Sequence, residues 1–364
     1  MIDSVLSLSK RLIRIQSDPD NAPELQQCLN IVCAELSNFT VEEFNCDGVR
    51  SILAYVGKTR PAKFGLILNG HLDVIPAKKK QYKPVIKGGK LYGAGALDMK
   101  SNLSCLIEVF KKTAHSVSYP IGLQIVTDEE IGGFKGTKYQ IQQGVRSDFI
   151  IAGETTNFQI ATKAKGVIWA KLIAKGRAAH GAYPWRGENA IVRMNQCLQT
   201  IIEKFPVPAT DAWVSTINIS QISTSNKAHN KVPDHCETTL DIRYTPADQD
   251  RIIHDIKALL PKQMTLHVEA NEPCLNTPDT DAHVKQLQSI AKKHTQSSIV
   301  TYGAHGTSDA RHYTEVGGHG IEFGPIGTGI GSDDECIDIE SLKTYCTILV
   351  EFVLSFSQPA PTNK

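Results

Sequence analysis

Apolar positions along the 364-residue chain follow two rhythms, one helical and one of short buried runs. At the amino end Val5, Leu8, Leu12 and Ile15 recur at the spacing of an amphipathic helix. A second helix is predicted over 23–39, with strands near 51–56 and 64–69. The run FGLILN at 64–69 is almost continuously apolar, as expected of a strand buried on both faces. It leads straight into Gly70-His71-Leu72-Asp73. A helix beginning near Met99 covers 103–113. The apolar run 121–126 leads into Thr127-Asp128-Glu129-Glu130, and 149–152 leads into Gly153-Glu154. Three buried strands thus each deliver imidazole or carboxyl groups at their carboxyl ends, the edge where open α/β sheets bind ligands. The pattern predicts an α/β fold with a mostly parallel sheet and flanking helices.

The middle of the chain has a different order. Strands are predicted at 167–174, 213–222, 236–244 and 264–269, with helices at 189–205 and 249–260. This βαββαβ succession is that of a ferredoxin-like unit, and the stretch 271–278 reads as the linker leaving it. A helix at 283–293, a Gly-rich stretch at 303–309, a strand at 320–323 and a helix at 342–356 follow. The expected organisation is a catalytic domain of residues 1–166 and 278–364, interrupted by an inserted α+β lid or dimerisation domain of residues 167–277. Residues 358–364 read as a frayed tail.

Charge narrows the function classes. Lysine and arginine number 39 and acidic residues 38, a net charge of +1 with no basic half, so a phosphate-binding footprint for nucleic acid is absent. No run of about 20 apolar residues offers a membrane span, and the amino end lacks the apolar stretch of a secretory signal. The nine cysteines form no C-x-x-C pair and read as reduced thiols of a cytoplasmic protein.

Five side chains fall at or just after the predicted strand ends or in their loops: His71, Asp98, Glu129, Glu130 and Glu154. Each type binds Zn²⁺ or a similar cation. Four carboxylates gathered in one buried place repel each other unless a strong positive charge is present, and metal ions supply it.

The strings His71-Leu-Asp73-Val-Ile-Pro76, Tyr92-Gly-Ala-Gly-Ala-Leu-Asp98-Met-Lys100, Thr127-Asp-Glu-Glu-Ile-Gly-Gly133 and Ala152-Gly-Glu154-Thr stand in this order. They are joined by Ala179-His-Gly-Ala-Tyr-Pro184, Asn230-Lys-Val-Pro-Asp234, Asp241-Ile-Arg243, Gly306-Thr-Ser-Asp309 and Glu322-Phe-Gly-Pro325. Over nearly the whole chain the set resembles the co-catalytic zinc amidohydrolase family, which includes succinyl-diaminopimelate desuccinylase, acetylornithine deacetylase, aminoacylases and glutamate carboxypeptidases. The Gly-Thr-Ser-Asp and Glu-Phe-Gly-Pro strings look most like the desuccinylase branch. The resemblance implies that His71 and Glu154 bind one metal, Glu130 a second, and Asp98 both. It implies Glu129 as general base, Asp73 as the residue orienting His71, and His180 as an oxyanion donor reaching a neighbouring subunit of a homodimer. Arg243, Asn230 and the backbone at Gly306 and Thr307 would hold the substrate. The implied reaction is hydrolysis of an N-succinyl or N-acetyl amino acid, with one or two Zn²⁺ per chain, or Co²⁺ or Mn²⁺. A di- or carboxypeptidase activity on small peptides is a further alternative.

One position departs from that pattern. Aligning Phe323-Gly-Pro325 and Glu335-Cys-Ile without a gap places Gly331 where the resemblance implies a histidine on the second metal. Smaller departures are Ala94 for an arginine and Thr155 for a proline. Three readings stay open: Asp333 or Asp334 replaces the histidine; one metal works on His71, Asp98 and Glu154; or the fold binds an amino-acid derivative with impaired or absent catalysis.

Overall fold

A computed structural model describes residues 1–357, and the tail reading at 358–364 lies outside the described residues. The chain divides into two compact units. The larger comprises Met1–Lys163, Leu275–Tyr302 and the segment from Ser308 onward. The smaller comprises Ala164–Cys274 and Gly303–Thr307.

The larger unit is α/β. Its central strands, Ile121–Val126, Phe64–His71, Ser147–Ala152 and His319–Glu322, are neighbours in that order and pair in parallel. Every residue of Phe64–His71 and of Ile121–Val126 is buried, which explains their lack of polar alternation. Helix Lys100–Thr113 packs on the sheet and against both Ile2–Ile13 and Ile339–Ser355. Val5, Leu8 and Leu12 on Ile2–Ile13 join Leu103, Leu106 and Phe110 in one continuous apolar core. Fully burying side chains of this size contributes roughly 1.5–3 kcal/mol each.

The edge of the sheet holds a strand that the periodicity does not predict. Helix Ala22–Glu35 stops short of its expected end, and Thr40–Cys46 pairs antiparallel with Val49–Tyr55. Only Phe44 of that strand is buried, so no apolar repeat marks it. Asp47 and Gly48 both carry positive φ in the connection. The Asp-Gly dipeptide is the usual sequence mark of such a hairpin.

The smaller unit has the predicted βαββαβ order. Its strands Thr216–Ser223, His235–Tyr244, Gly166–Lys175 and Met264–Glu272 form an antiparallel sheet in that spatial sequence. Helix Ala190–Lys204 lays Met194, Cys197, Leu198 and Ile201 into its core, and Asn189 caps that helix by accepting from the Ile191 and Val192 amides. The second helix is only Ile252–Ala258. Gly303–Thr307, expected with the flanking domain, belongs instead to this unit. Gly303 lies against the Trp213 ring, where any side chain would collide, and Thr307 Oγ1 donates to the Lys165 carbonyl at 2.5 Å.

Candidate metal centre and flanking groups

Parallel register brings the chemistry together. His71 pairs opposite Val126, Asn69 opposite Ala152, and Ala152 opposite Glu322. The carboxyl ends of four neighbouring strands are therefore level; His71 and Glu322 end two of them, and the segments leaving the other two carry Glu129 with Glu130, and Glu154.

One donor atom each from His71, Asp98 and Glu154 lies within 4.8 Å of the others. His71 Nε2 is 3.1 Å from Asp98 Oδ1 and 4.0 Å from Glu154 Oε1. The other ring nitrogen, Nδ1, stands 2.9 Å from the Asp73 carbonyl oxygen and 3.4 Å from Asp73 Oδ1. A proton on Nδ1 satisfies that carbonyl and leaves the Nε2 lone pair facing the two carboxylates. Nitrogen plus two carboxylate oxygens is a donor set for a borderline cation such as Zn²⁺.

Electrostatics points the same way. Burial opposes a charge on His71, but Asp73, Asp98 and Glu154 overcome it and raise the imidazole pKa well above its usual value. Burial, then Asp98, pushes the Glu154 carboxyl far up. Glu129 is raised well above the carboxylate range by burial, with Glu154, Asp309 and Asp98 adding to it against His71. Glu130 rises to about 7, through burial first and then the Asp98 and Asp73 carboxylates. Mutual repulsion and burial disfavour the ionised carboxylates here, and a divalent ion among the three donors would reverse that balance.

A layer of hydrogen bonds fixes these groups. Asp73 Oδ2 accepts from the Glu130 amide at 2.9 Å, coupling the histidine's partner to the Glu129-Glu130 turn. Glu335 Oε1 accepts from the Leu97 and Asp98 amides at 2.9 and 3.2 Å. Asn102 Nδ2 donates to Gly153 O at 2.8 Å and to Thr155 Oγ1 at 2.9 Å, while Thr155 Oγ1 donates to Leu97 O at 2.9 Å. These bonds join the loops of Asp98 and Glu154. Gly153 permits the close approach, since a Cβ there would lie 2.9 Å from both Leu106 and Met99. Ser17 Oγ donates to Leu72 O at 2.7 Å, and the buried Lys100 ammonium donates to Leu12 O and Ile15 O, so the last turn of the first helix and the residues after it brace both candidate ligand loops.

Three buried groups beside this site carry no role in the sequence reading, although Asp309 and Glu322 stand in two of its strings. Asp309 accepts from Thr137 Oγ1 at 2.6 Å. Arg311 donates to Gly132 O at 2.6 Å and Ser308 O at 2.8 Å, tying the Glu-Glu-Ile-Gly-Gly turn down. Glu322 is buried at the end of its strand, its pKa raised to about 7 by burial. The rule that found Glu154, an acid at the end of an apolar parallel strand, also marks Glu322. Asp309 and Arg311 carry no comparable periodic signal.

The remaining candidates lie in the smaller unit. His180 is exposed on the two-residue strand Ala179–His180, paired opposite Lys231 in Lys231–Val232, so it sits beside Asn230, whose carbonyl accepts from the Gly181 amide at 2.7 Å. Arg243 is half-buried on His235–Tyr244, and its Nε donates to Asp241 at 3.0 Å. Gly306 has open space where a Cβ would stand, so nothing steric demands glycine there.

The sequence profile of peptidase family M20/M25/M40 matches residues 67–355, the span that holds every group of the centre. This chain belongs to that family. It is a metal-dependent amidohydrolase of the M20 type. Succinyl-diaminopimelate desuccinylase of Pelagibacter ubique is 27% identical over 96% of this chain and 98% of its own length. The protein of that name from Halorhodospira halophila is 24% identical over 99% and 100%. Among solved structures, aminopeptidase PepT of Bacillus cereus superposes with a TM-score of 0.79 at 18% identity, covering 98% of this chain and 99% of that one. The M20 metallo-carboxypeptidase Sso-CP2 of Sulfolobus solfataricus gives 0.74 at 16%, covering 96% and 98%. These structural likenesses establish a shared fold. No helix of the described residues is long and apolar enough to cross a membrane.

Proposed function

We propose that this chain hydrolyses the amide bond of an N-acyl amino acid, an N-succinyl or N-acetyl compound, releasing a carboxylic acid and a free amine. The observation that carries the reading is the convergence of His71, Asp98 and Glu154 donor atoms within 4.8 Å. The desuccinylase relatives support the choice of acyl group. Zn²⁺ suits the donors, with Co²⁺ or Mn²⁺ as substitutes. His71, Asp98 and Glu154 would hold the cation, which would supply Lewis acidity that brings the pKa of a water toward neutrality. Glu129 takes the proton of the attacking water and returns it to the departing amine nitrogen. Asp73 keeps the imidazole in the tautomer with Nε2 free. Arg243 and Asn230, with the Gly306 and Thr307 backbone, hold the substrate carboxylate; the planar guanidinium binds it through two parallel hydrogen bonds.

In this reading the protein works as a cytoplasmic homodimer joined through the smaller unit, with His180 stabilising the oxyanion in the partner subunit's site. Thr216–Ser223 supports this as an edge strand carrying the exposed Ile222. Among the described residues no disulfide joins any of the nine cysteines, in keeping with a reducing compartment.

The test is release of amine from a panel of N-succinyl and N-acetyl amino acids and dipeptides, with and without Zn²⁺. Glu129→Gln is expected to lower kcat by about 10²–10⁴-fold while metal content stays unchanged. Turnover of a dipeptide alone moves the substrate class to peptides. Binding without turnover of any panel member makes the protein a binder.

A further inference from the structure

Beside the His71–Asp98–Glu154 group lies a cavity of about 470 Å³, walled in part by Asp98, Glu130, Gly331, Asp333, Glu335 and Lys78. A second cation sharing Asp98 with the first would sit on this side and would need Glu130 and at least one more protein donor. Each group that could supply that donor is otherwise engaged or missing. Glu335, though part of the wall, is fixed through Oε1 on the Leu97 and Asp98 amides. Asp333 is gripped by two ammonium groups, Lys78 Nζ at 2.7 Å and Lys80 Nζ at 3.0 Å, which hold its carboxyl below the usual range. Asp334 is exposed and lines no part of the cavity. Gly331, at the position where the resemblance implies a histidine, brings no side chain at all.

Charge adds to the missing ligand. Lys78 lines the same cavity as Asp98 and Glu130, and its ammonium repels a doubly charged ion placed there. Among the described residues, His71, Asp98 and Glu154 are the one group of three donors within mutual reach.

We propose that this chain holds a single divalent cation, on His71, Asp98 and Glu154, and that Glu130 faces the adjoining cavity as a free carboxyl group. The proposal deepens the metal-dependent reading above and rests on it. It removes the Asp333 and Asp334 alternatives and makes the chain a one-metal member of a family with two-metal relatives.

Elemental analysis of the full-length protein, loaded with excess Zn²⁺ or Co²⁺ and dialysed, tests it. One ion per chain is expected in the wild type, and the Co²⁺ absorption bands should saturate at one equivalent. Glu130→Gln should keep that count, with a change in metal affinity smaller than the roughly 10–100-fold loss that follows removal of an outer hydrogen-bond partner. Gly331→His should raise the count to two. Position 331 has φ +67° and faces the flexible tip of Ile75 at 2.9 Å, and histidine is among the residues enriched in that left-handed region. Two ions per wild-type chain would overturn the proposal while leaving the hydrolase reading intact; none at any loading would overturn both. A Gly331→His protein with native circular dichroism that still binds one ion would also overturn it. If that variant does not fold, the wild-type count and the Glu130→Gln affinity decide.

Discussion

The two units present functional groups in opposite ways. In the larger, His71 and Asp73 are almost wholly withdrawn from water, and each candidate ligand loop is tied to another by named hydrogen bonds. In the smaller, His180 stands exposed on a two-residue strand, and Arg243 is half-buried with Asp241 as its partner. The contrast separates two tasks. A group that shares an ion must be held to a fraction of an ångström, so it is mounted on buried parallel strands and braced from behind. In the proposed function His180 and Arg243 meet a partner subunit or a substrate, so they must stay accessible and keep their freedom at the cost of precision.

The contrast can be broken most sharply at His71. His71→Ala should leave a chain that retains no ion after dialysis and has no measurable turnover, checked by elemental analysis and amine release. Next comes His180→Ala, expected to lower kcat by about 10²–10³-fold as for loss of one oxyanion donor, with the metal count untouched. Loss of metal in that variant would mean that the exposed residue is structural, and the division of tasks would fail. Asp73→Asn should weaken metal affinity by roughly 10–100-fold with a small change in thermal stability, measured by competition with a chelator.

The smallest effect concerns pH. Glu322 ionises near 4.5 in an unfolded chain and near 7 when buried in the fold. Between those values the folded state binds the extra proton, so stability of the metal-free protein should fall as pH rises from about 4.5 to about 7 and then level off. Glu322→Gln should remove that part of the slope and stabilise the metal-free chain at pH 8 by roughly 1–3 kcal/mol, seen in thermal melts. An unchanged slope would place the titrating burden elsewhere in the cluster.

Much of this is legible in the residues themselves. Buried parallel strands write themselves as unbroken apolar runs, and the polar residue that ends such a run stands at the ligand edge; His71 and Glu154 follow directly from that rule. Asp98 does not end a strand, and only its string pointed to it. The strand Thr40–Cys46 escaped because one buried residue in seven sets no rhythm. The spacing at 23–39 and 249–260 reaches past the observed helices Ala22–Glu35 and Ile252–Ala258 because apolar residues continue where the backbone has turned away.

What the chain order alone carries is therefore the alternation of elements, the set of acids and the histidine, and the glycine at 331. Those are local properties of residue type and spacing. Which acids share one ion, which of them is spent on backbone amides, and which is claimed by lysines depends on distances across loops hundreds of residues apart, as between Lys78 and Asp333. Such distances arise only when the sheet aligns its strand ends and the core fills behind them, because close packing, unlike periodicity, is a property of the whole fold.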